Sequence, residues 1–225
     1  MDDEMAFLFD LDGTLVDSVY QHVLAWRQAL EAVGIELAVW RIHRRIGMSG
    51  GLFINALFRE IGRPVSPDEV ERIQALHAAA YQTMAGQVRP LPGAADLLAT
   101  LTGAGVPWAI ATSGRFEVAR PVLATLGMPP EAVVVTRDQV RFAKPDPDLF
   151  LAAAERLGVP IDRAVVVGDS IWDLLAARRA RALGVGLLSG GYGRAELETA
   201  GAYRVYDDPA DLARHLDEVG VRGAS

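Results

Sequence analysis

Three times in this chain an apolar run stops at polar side chains set beside a glycine, and that repetition limits the fold more than any other feature. The first run, Met5 to Phe9, reads as a buried strand that delivers Asp10-Leu11-Asp12-Gly13-Thr14 at its end. Side chains of extended backbone alternate, so Asp10 and Asp12 point the same way, with Leu11 facing back. Two carboxylates held together repel unless a cation or a shared proton relieves them. Gly13 allows a sharp turn, and Thr14 places a hydroxyl in it.

The second run is Trp108-Ala109-Ile110-Ala111, ending in Thr112-Ser113-Gly114-Arg115, and the third is Ala164-Val165-Val166-Val167, ending in Gly168-Asp169-Ser170-Ile171-Trp172-Asp173. Segments with helical character lie between and after them: Ala94 to Ala104, Phe116 to Leu126, Asp148 to Leu157 and Trp172 to Leu183. Strand and helix in alternation predict an α/β fold, an open parallel sheet with helices on both faces. In such a sheet the carboxyl ends of all strands share one edge, where ligands bind. Asp10, Asp12, Thr112 and Asp169 are therefore expected to meet, although they are far apart in sequence.

A further polar stretch, Arg141-Phe142-Ala143-Lys144-Pro145-Asp146-Pro147-Asp148, holds the one lysine among 22 basic residues. A chain that uses arginine at every other basic position and lysine here points to a need for a compact ammonium on a flexible stem.

Together, Asp10-Leu-Asp-Gly-Thr-Leu, Thr112 after its strand, Lys144-Pro145 and Gly168-Asp169-Ser170-Ile171-Trp172-Asp173 resemble the four motifs of the haloacid dehalogenase superfamily, in order and over nearly the whole chain. The resemblance is to the phosphoglycolate phosphatase and β-phosphoglucomutase-like members. It implies a Rossmann-like three-layer core, a small helical cap and Mg²⁺-dependent phosphoryl transfer. By the same resemblance Asp10 is the nucleophile that forms an aspartyl-phosphate. Asp12 is the general acid and base, and supplies a backbone carbonyl to the metal. Asp10 and Asp169 are the carboxylate ligands of Mg²⁺, an ion that prefers a few protein oxygens completed by water and phosphate. Thr112 and the Ser113 amide hold phosphoryl oxygens, and Lys144 balances charge among phosphate and carboxylates. Asp173, one helical turn past Asp169, supports the ligands from behind or occasionally binds the metal, or is simply an acid favoured by the helix dipole. For Asp12 to carry its proton near neutral pH, a raised pKa is expected, with the neighbouring acid contributing.

The sequence places the cap at residues 17–87, between the first strand and the rest of the core at 1–16 and 88–225, with hinges near Val16-Asp17 and Val88-Pro90. Val19, Val23, Trp26, Leu30 and Val33 form one apolar helical face, and Gly34 ends that helix. Ser66-Pro67-Asp68-Glu69 has the form of a capping box, followed by a stripe of Val70, Ile73, His77 and Tyr81. Candidate cap and substrate contacts are His22, Arg45, Ser49 and Arg115, with Arg44 and Met48 beside them. His22 follows Asp10 at the spacing of the β-phosphoglucomutase cap-hinge histidine that contacts the acid/base; stacking on Trp26 is the alternative. His77 reads as a packed histidine. Gly190-Gly191-Tyr192-Gly193 reads most simply as a flexible turn after the last strand, with a contribution to the rim of the site as the weaker reading.

Composition fits an ordinary enzyme of small metabolites. With 51% hydrophobic residues, 225 residues build a core domain and an insertion, and no apolar run is long enough to span a membrane. A net charge of −7 argues against nucleic acid and anionic membrane as partners. The absence of cysteine removes disulfides, thiolate metal sites and thiol nucleophiles. The acidic start Met1-Asp2-Asp3-Glu4 does not read as a secretory signal, and the expected setting is the cytoplasm, as a monomer or weak homodimer acting on a small phosphorylated metabolite. A sugar-phosphate mutase would also need a second phosphate site in the cap; where β-phosphoglucomutase has a cap arginine this chain has Gly50, leaving Arg44 or Arg45 to substitute. Haloacid dehalogenation fits poorly because family dehalogenases lack the acid at the Asp12 position. A non-catalytic role on the same fold would be expected to have lost one of Asp10, Asp12, Thr112, Lys144 or Asp169, and all are present.

Overall fold

The computed structural model describes residues 5–221. The acidic start at 1–4, read above as no secretory signal, lies outside them. In chain order the elements are β1 (Ala6–Phe9), α1 (Val19–Glu31), α2 (Val39–His43), α3 (Gly50–Glu60), α4 (Pro67–Gln82), α5 (Ala94–Gly103), β2 (Trp108–Ala111), α6 (Phe116–Leu123), β3 (Val133–Val135), α7 (Asp148–Leu157), β4 (Ala164–Gly168), α8 (Ile171–Ala180), β5 (Leu183–Leu187), α9 (Arg194–Ala200), β6 (Arg204–Tyr206) and α10 (Pro209–Arg214).

The six strands form one sheet in the order β3-β2-β1-β4-β5-β6, with every pairing parallel. This is a Rossmann-like α/β sheet whose strand order reverses between β1 and β4. β1 is apolar throughout because both of its faces are covered. Phe7 and Phe9 enter a cluster with Leu97, Leu98 and Leu101 of α5 and Val122 of α6. Leu8, between them, enters the opposite layer with Leu149, Phe150 and Ala153 of α7 and Ala176 of α8. Small side chains on that side let α7 and α8 lie close to the sheet.

The helices α1 to α4 pack around a third cluster that includes Val23, Trp26, Leu30, Ile42, Phe53, Leu57, Phe58 and Ile73. The chain enters and leaves this helical group through two neighbouring segments. Asp17 N–H donates to the Arg89 carbonyl and Leu91 N–H to the Leu15 carbonyl, both at 2.9 Å, and Val16 bridges Pro90. Ser66 accepts from the Glu69 amide at 3.2 Å, while the Glu69 carboxylate pairs with Arg63.

Three local readings of the sequence are corrected. The helix expected to reach Leu126 stops at Leu123, two residues after Pro121 removes a backbone donor, and a tight turn over Ala124–Leu126 follows. The helix expected to reach Leu183 stops at Ala180: Arg181 takes a left-handed conformation (φ 65°) and Leu183 opens β5. The strong helix formers in Ala180-Arg181-Ala182 hide that stop from a propensity reading. The strand before Gly190 is not the last, since β6 follows it.

Among the described residues no helix is long and apolar enough to cross a membrane. Phe9→Ala, which empties a fully buried site beside α5, should lower unfolding free energy by about 3–5 kcal/mol in chemical denaturation.

Candidate active site

The strand-order reversal places the ends of β1 and β4 side by side. Phe9 is in register with Val167, and the Asp10 amide donates to the Val167 carbonyl at 2.9 Å. Asp10 and Asp169 therefore face each other across the seam. Gly13, at φ 84°, turns the chain beneath them; a Cβ there would stand 2.6 Å from Asp169 Oδ2. Gly190 is packed closer still, since any Cβ would overlap the Asp169 carboxylate. The Gly190 turn is thus a wall of the site and not the freely flexible turn read from its composition.

Lys144 is fully buried at this seam. Its Nζ makes an ion pair with Asp10 Oδ1 and lies 2.8 Å from Asp173 Oδ1. Burial alone would lower the ammonium pKa, but Asp10 and Asp173 outweigh it and hold it above the ordinary lysine range. Asp173 Oδ2 accepts from the Ser170 amide at 3.1 Å and the Ser170 hydroxyl at 2.5 Å. Asp173 thus orients Lys144 and also serves the start of α8. Asp169 Oδ1 accepts from Thr14 at 3.0 Å.

Carboxylate oxygens of Asp10, Asp169 and Asp173 come within 4.8 Å of one another. Three buried acids face one buried ammonium, so negative charge is in excess. Burial pushes Asp10 up, Lys144 pulls it back, Asp173 and Asp12 repel it, and the balance is a pKa of about 7. Asp169 is raised well above the carboxylate range by burial and by repulsion from Asp173 and Asp10. An all-oxygen donor set that is overcharged and dry fits a hard divalent cation such as Mg²⁺. Asp10 and Asp169 are the acids suited to hold it, because both Asp173 oxygens are already engaged.

Asp12 behaves differently. Its Oδ1 accepts from the Ser18 hydroxyl at 2.6 Å and faces His22 Nε2 at 3.1 Å. Burial favours a higher pKa, but the His22 charge and hydrogen bond, with Ser18, outweigh it and leave the pKa below the ordinary value. The raised Asp12 pKa expected from its acidic neighbour is therefore not found: its carboxylate lies with the helical insertion and not with the other acids. His22 does not stack on Trp26. It stacks on Tyr81 with ring centroids 4.0 Å apart, and His77 takes the place on Trp26, also at 4.0 Å.

Thr112 is buried at the end of β2 and its hydroxyl accepts from the Gly114 amide at 2.9 Å. The Ser113 hydroxyl donates to the Gly47 carbonyl at 3.0 Å, across to the helical insertion. These residues, with Asp10, Asp12, His22 and His77, line a pocket of about 570 Å³. Arg45 lines it too, but its guanidinium is bound to Glu60 and to the Arg41 carbonyl. Ser49 lines it and caps α3, accepting from the Leu52 amide at 3.4 Å. Arg115 stands exposed at its mouth, 3.5 Å from Gln74 and 4.0 Å from Asp138. Trp26 closes on Gly50, where a Cβ would lie 3.0 Å from the indole, so a side chain at the position compared with the mutase arginine would need Trp26 to shift. Arg44 faces away from the pocket. Its side chain pairs with Glu196 and covers the Tyr192 ring, and its carbonyl accepts from Trp172 Nε1 (3.3 Å) and the Tyr192 hydroxyl (2.9 Å). Beside it, His43 bonds the Gly190 carbonyl at 2.8 Å.

Sequence reasoning read His77 as a packed histidine and missed its bond to His22, and it favoured Gly190 as a flexible turn over the rim of the site.

Unfolding returns Asp10 from about 7 to 3.8. The folded protein therefore holds protons that the unfolded chain releases in that window, and metal-free protein should lose stability as pH rises through it. Thermal unfolding in chelator should give a lower Tm at about pH 7.5 than at about pH 5.5. Added Mg²⁺ should raise Tm more at the higher pH, because cation and protons compete for the same oxygens.

Residues 4–181 match the family model described as haloacid dehalogenase-like hydrolase. A crystal structure of a hydrolase from Pseudomonas syringae is 55% identical and superposes with a TM-score of 0.94 over 96% of this chain and 99% of that one. Hexitol phosphatase A of Escherichia coli is 37% identical over 166 residues, 73% of this chain and 74% of its own. A phosphoglycolate phosphatase of Rhodospirillum rubrum is 32% identical over 219 residues, 94% of this chain and 90% of its own. With the motifs assembled at one sheet edge and these matches spanning most of its length, the chain belongs to the haloacid dehalogenase-like hydrolase family.

Proposed function

We propose that the protein is a Mg²⁺-dependent phosphatase that hydrolyses phosphate monoesters of small metabolites, sugar phosphates or phosphoglycolate-like acids, through a phosphoaspartate on Asp10. The observation that carries this reading is the setting of Asp10, a buried carboxylate paired with Lys144 beside the Thr112–Ser113 turn and lining the pocket. The names of the hexitol phosphatase and phosphoglycolate phosphatase relatives support the substrate range.

Bound Mg²⁺ supplies the positive charge that lets an anionic nucleophile meet a phosphate dianion. Thr112 and the Ser113 amide hold the phosphoryl oxygens, and Lys144 favours the ionised form of Asp10 against its burial. An Asp10 oxygen attacks phosphorus and the bond to the leaving oxygen breaks, while Asp12 gives that oxygen its proton. Water then attacks the phosphoaspartate, Asp12 takes up a proton from it, and phosphate and free Asp10 are restored. Phosphate arriving beside Asp12 adds the negative charge that raises its carboxyl toward the protonated form. Residues 17–87 serve as a cap that closes over the leaving group and opens on the paired segments at Val16 and Pro90, which keeps water out during the first step.

Phosphate release from a panel of phosphorylated metabolites, with Mg²⁺ and with chelator, tests the reading. Turnover should require Mg²⁺, and Asp10→Asn should lower it at least about a thousandfold with the fold intact. Near-normal turnover by that variant rejects the covalent route. Lys144→Arg should lose about a hundredfold, because the planar guanidinium does not fit between Asp10 and Asp173 beside the Phe150 ring. Isomerisation of a sugar phosphate primed by its bisphosphate, without net phosphate release, would replace phosphatase by mutase.

A further inference from the structure

The pocket beside the acids encloses about 570 Å³, a volume of the order that buries a drug-sized ligand, and a two-carbon acid would leave most of it to water. The charge and the hydrogen-bonding groups of its walls decide what fills it.

Three arginines line the pocket: Arg45, Arg115 and Arg137. Arg45 is taken by Glu60 and the Arg41 carbonyl. The Arg115 side chain is 62% exposed, with Nε 4.0 Å from Asp138. Arg137 turns back on its own loop, its Nη1 donating to the Val140 carbonyl at 2.8 Å. Asp138 and Asp146 stand on the same rim. A carboxylate on the leaving group would give up water for walls whose cations are already engaged, and would pass two acids on entry.

Helix α4 offers a neutral group instead. Gln74 Oε1 faces Arg115 Nη2 at 3.5 Å, and a guanidinium can only donate, so the amide oxygen belongs on that side. The amide nitrogen lies the other way, against Gly50 and Gly51 at the start of α3, where a Cβ on either glycine would stand 3.3 Å from Nε2. The paired glycines thus make room for the amide. Nε2 meets no acceptor among the described residues and is not sealed from solvent. Beside it, Asn55 of α3 donates from Nδ2 to the Gly51 carbonyl at 2.8 Å, which leaves its Oδ1 to accept. Both amides line the pocket, one with a free donor and the other with a free acceptor. A hydroxyl is the ligand group that satisfies either.

We propose that Gln74 is a specificity-determining residue whose amide N–H binds a hydroxyl of the leaving group, and that the pocket selects neutral polyhydroxy phosphates over phosphorylated carboxylic acids. This narrows the phosphatase reading above and rests on it.

Three esters test the selection: sorbitol 6-phosphate, 2-phosphoglycolate and p-nitrophenyl phosphate. For the parent protein, kcat/KM on sorbitol 6-phosphate should exceed that on 2-phosphoglycolate at least about a hundredfold. Gln74→Met keeps the length of the side chain and removes the N–H. It should lower kcat/KM on sorbitol 6-phosphate about tenfold, mainly through KM, and change the other two esters less than about twofold. Gln74→Lys sets a free ammonium at the same place and should raise kcat/KM on 2-phosphoglycolate about tenfold, a gain that a merely structural role would not produce. Equal losses on all three esters in Gln74→Met, or a parent that prefers 2-phosphoglycolate, would overturn the proposal. Loss of such a preference in Arg137→Gln would assign an anionic leaving group to Arg137 instead.

Turnover of p-nitrophenyl phosphate alone would leave the phosphatase reading standing and sink the selection. Release from none of the three would sink the phosphatase reading. Calorimetry with Mg²⁺ on Asp10→Asn then decides the selection without turnover: sorbitol 6-phosphate should bind at least about tenfold more tightly than 2-phosphoglycolate, and adding Gln74→Met should erase most of that difference. Equal binding of the two esters, or binding of neither, overturns the proposal.

Discussion

The Lys144 ammonium sits out of reach of solvent between the carboxylates of Asp10 and Asp173. Burying charge is costly, and a buried pair seldom repays its desolvation in stability. Here much of the local structure serves to hold that cation in place. Ser170 occupies the far oxygen of Asp173, so the near one is left for Lys144. Arg179 of α8 bonds the Pro145 carbonyl at 2.9 Å and ties down the segment that carries the lysine. Gly13 and Gly190 bring backbone against Asp169 where no side chain fits. The three acids outnumber the ammonium, and the remaining negative charge suits the seam to a hard divalent cation.

Asp10 and Asp12 stand two residues apart, yet their surroundings drive their protons in opposite directions. Asp10 belongs to the sheet edge, where burial and other acids raise it. Asp12 points toward α1, where His22 and Ser18 lower it. Separation of two acids by environment is how one site assigns a nucleophile and a proton carrier. Since His22 and His77 both lie on helices of the insertion, the character of Asp12 depends on how that insertion sits over the sheet. Contacts from His43, Arg44 and Gly47 to Gly190, Tyr192, Trp172, Glu196 and Ser113 hold it there.

The ends of β1, β2 and β4 were legible because each carries a local signature: an apolar run, then polar residues and glycine. The single lysine was legible by contrast with an arginine-rich chain, although nothing in the sequence revealed that Asp173 would share it. The end of α8 was not legible, because Arg181 bends the chain at a residue that favours helix. His77 was read as a packed histidine for a similar reason. It occupies an apolar stripe at helical spacing, and the His22 ring that it bonds arrives from a different helix, 55 positions away.

The sequence by itself determined the alternation of strands and helices, the residues brought to the carboxyl edge of the sheet and the family to which the chain is similar, because hydrophobic periodicity and short-range turn chemistry act between neighbours in the chain. The tertiary structure alone decided which acid pairs with Lys144, why Asp12 is held low while Asp10 is raised, and how His77 reaches Asp12 through His22. Those outcomes depend on burial and on electrostatic contacts across long sequence separations, quantities that come into being only when the helices close over the sheet.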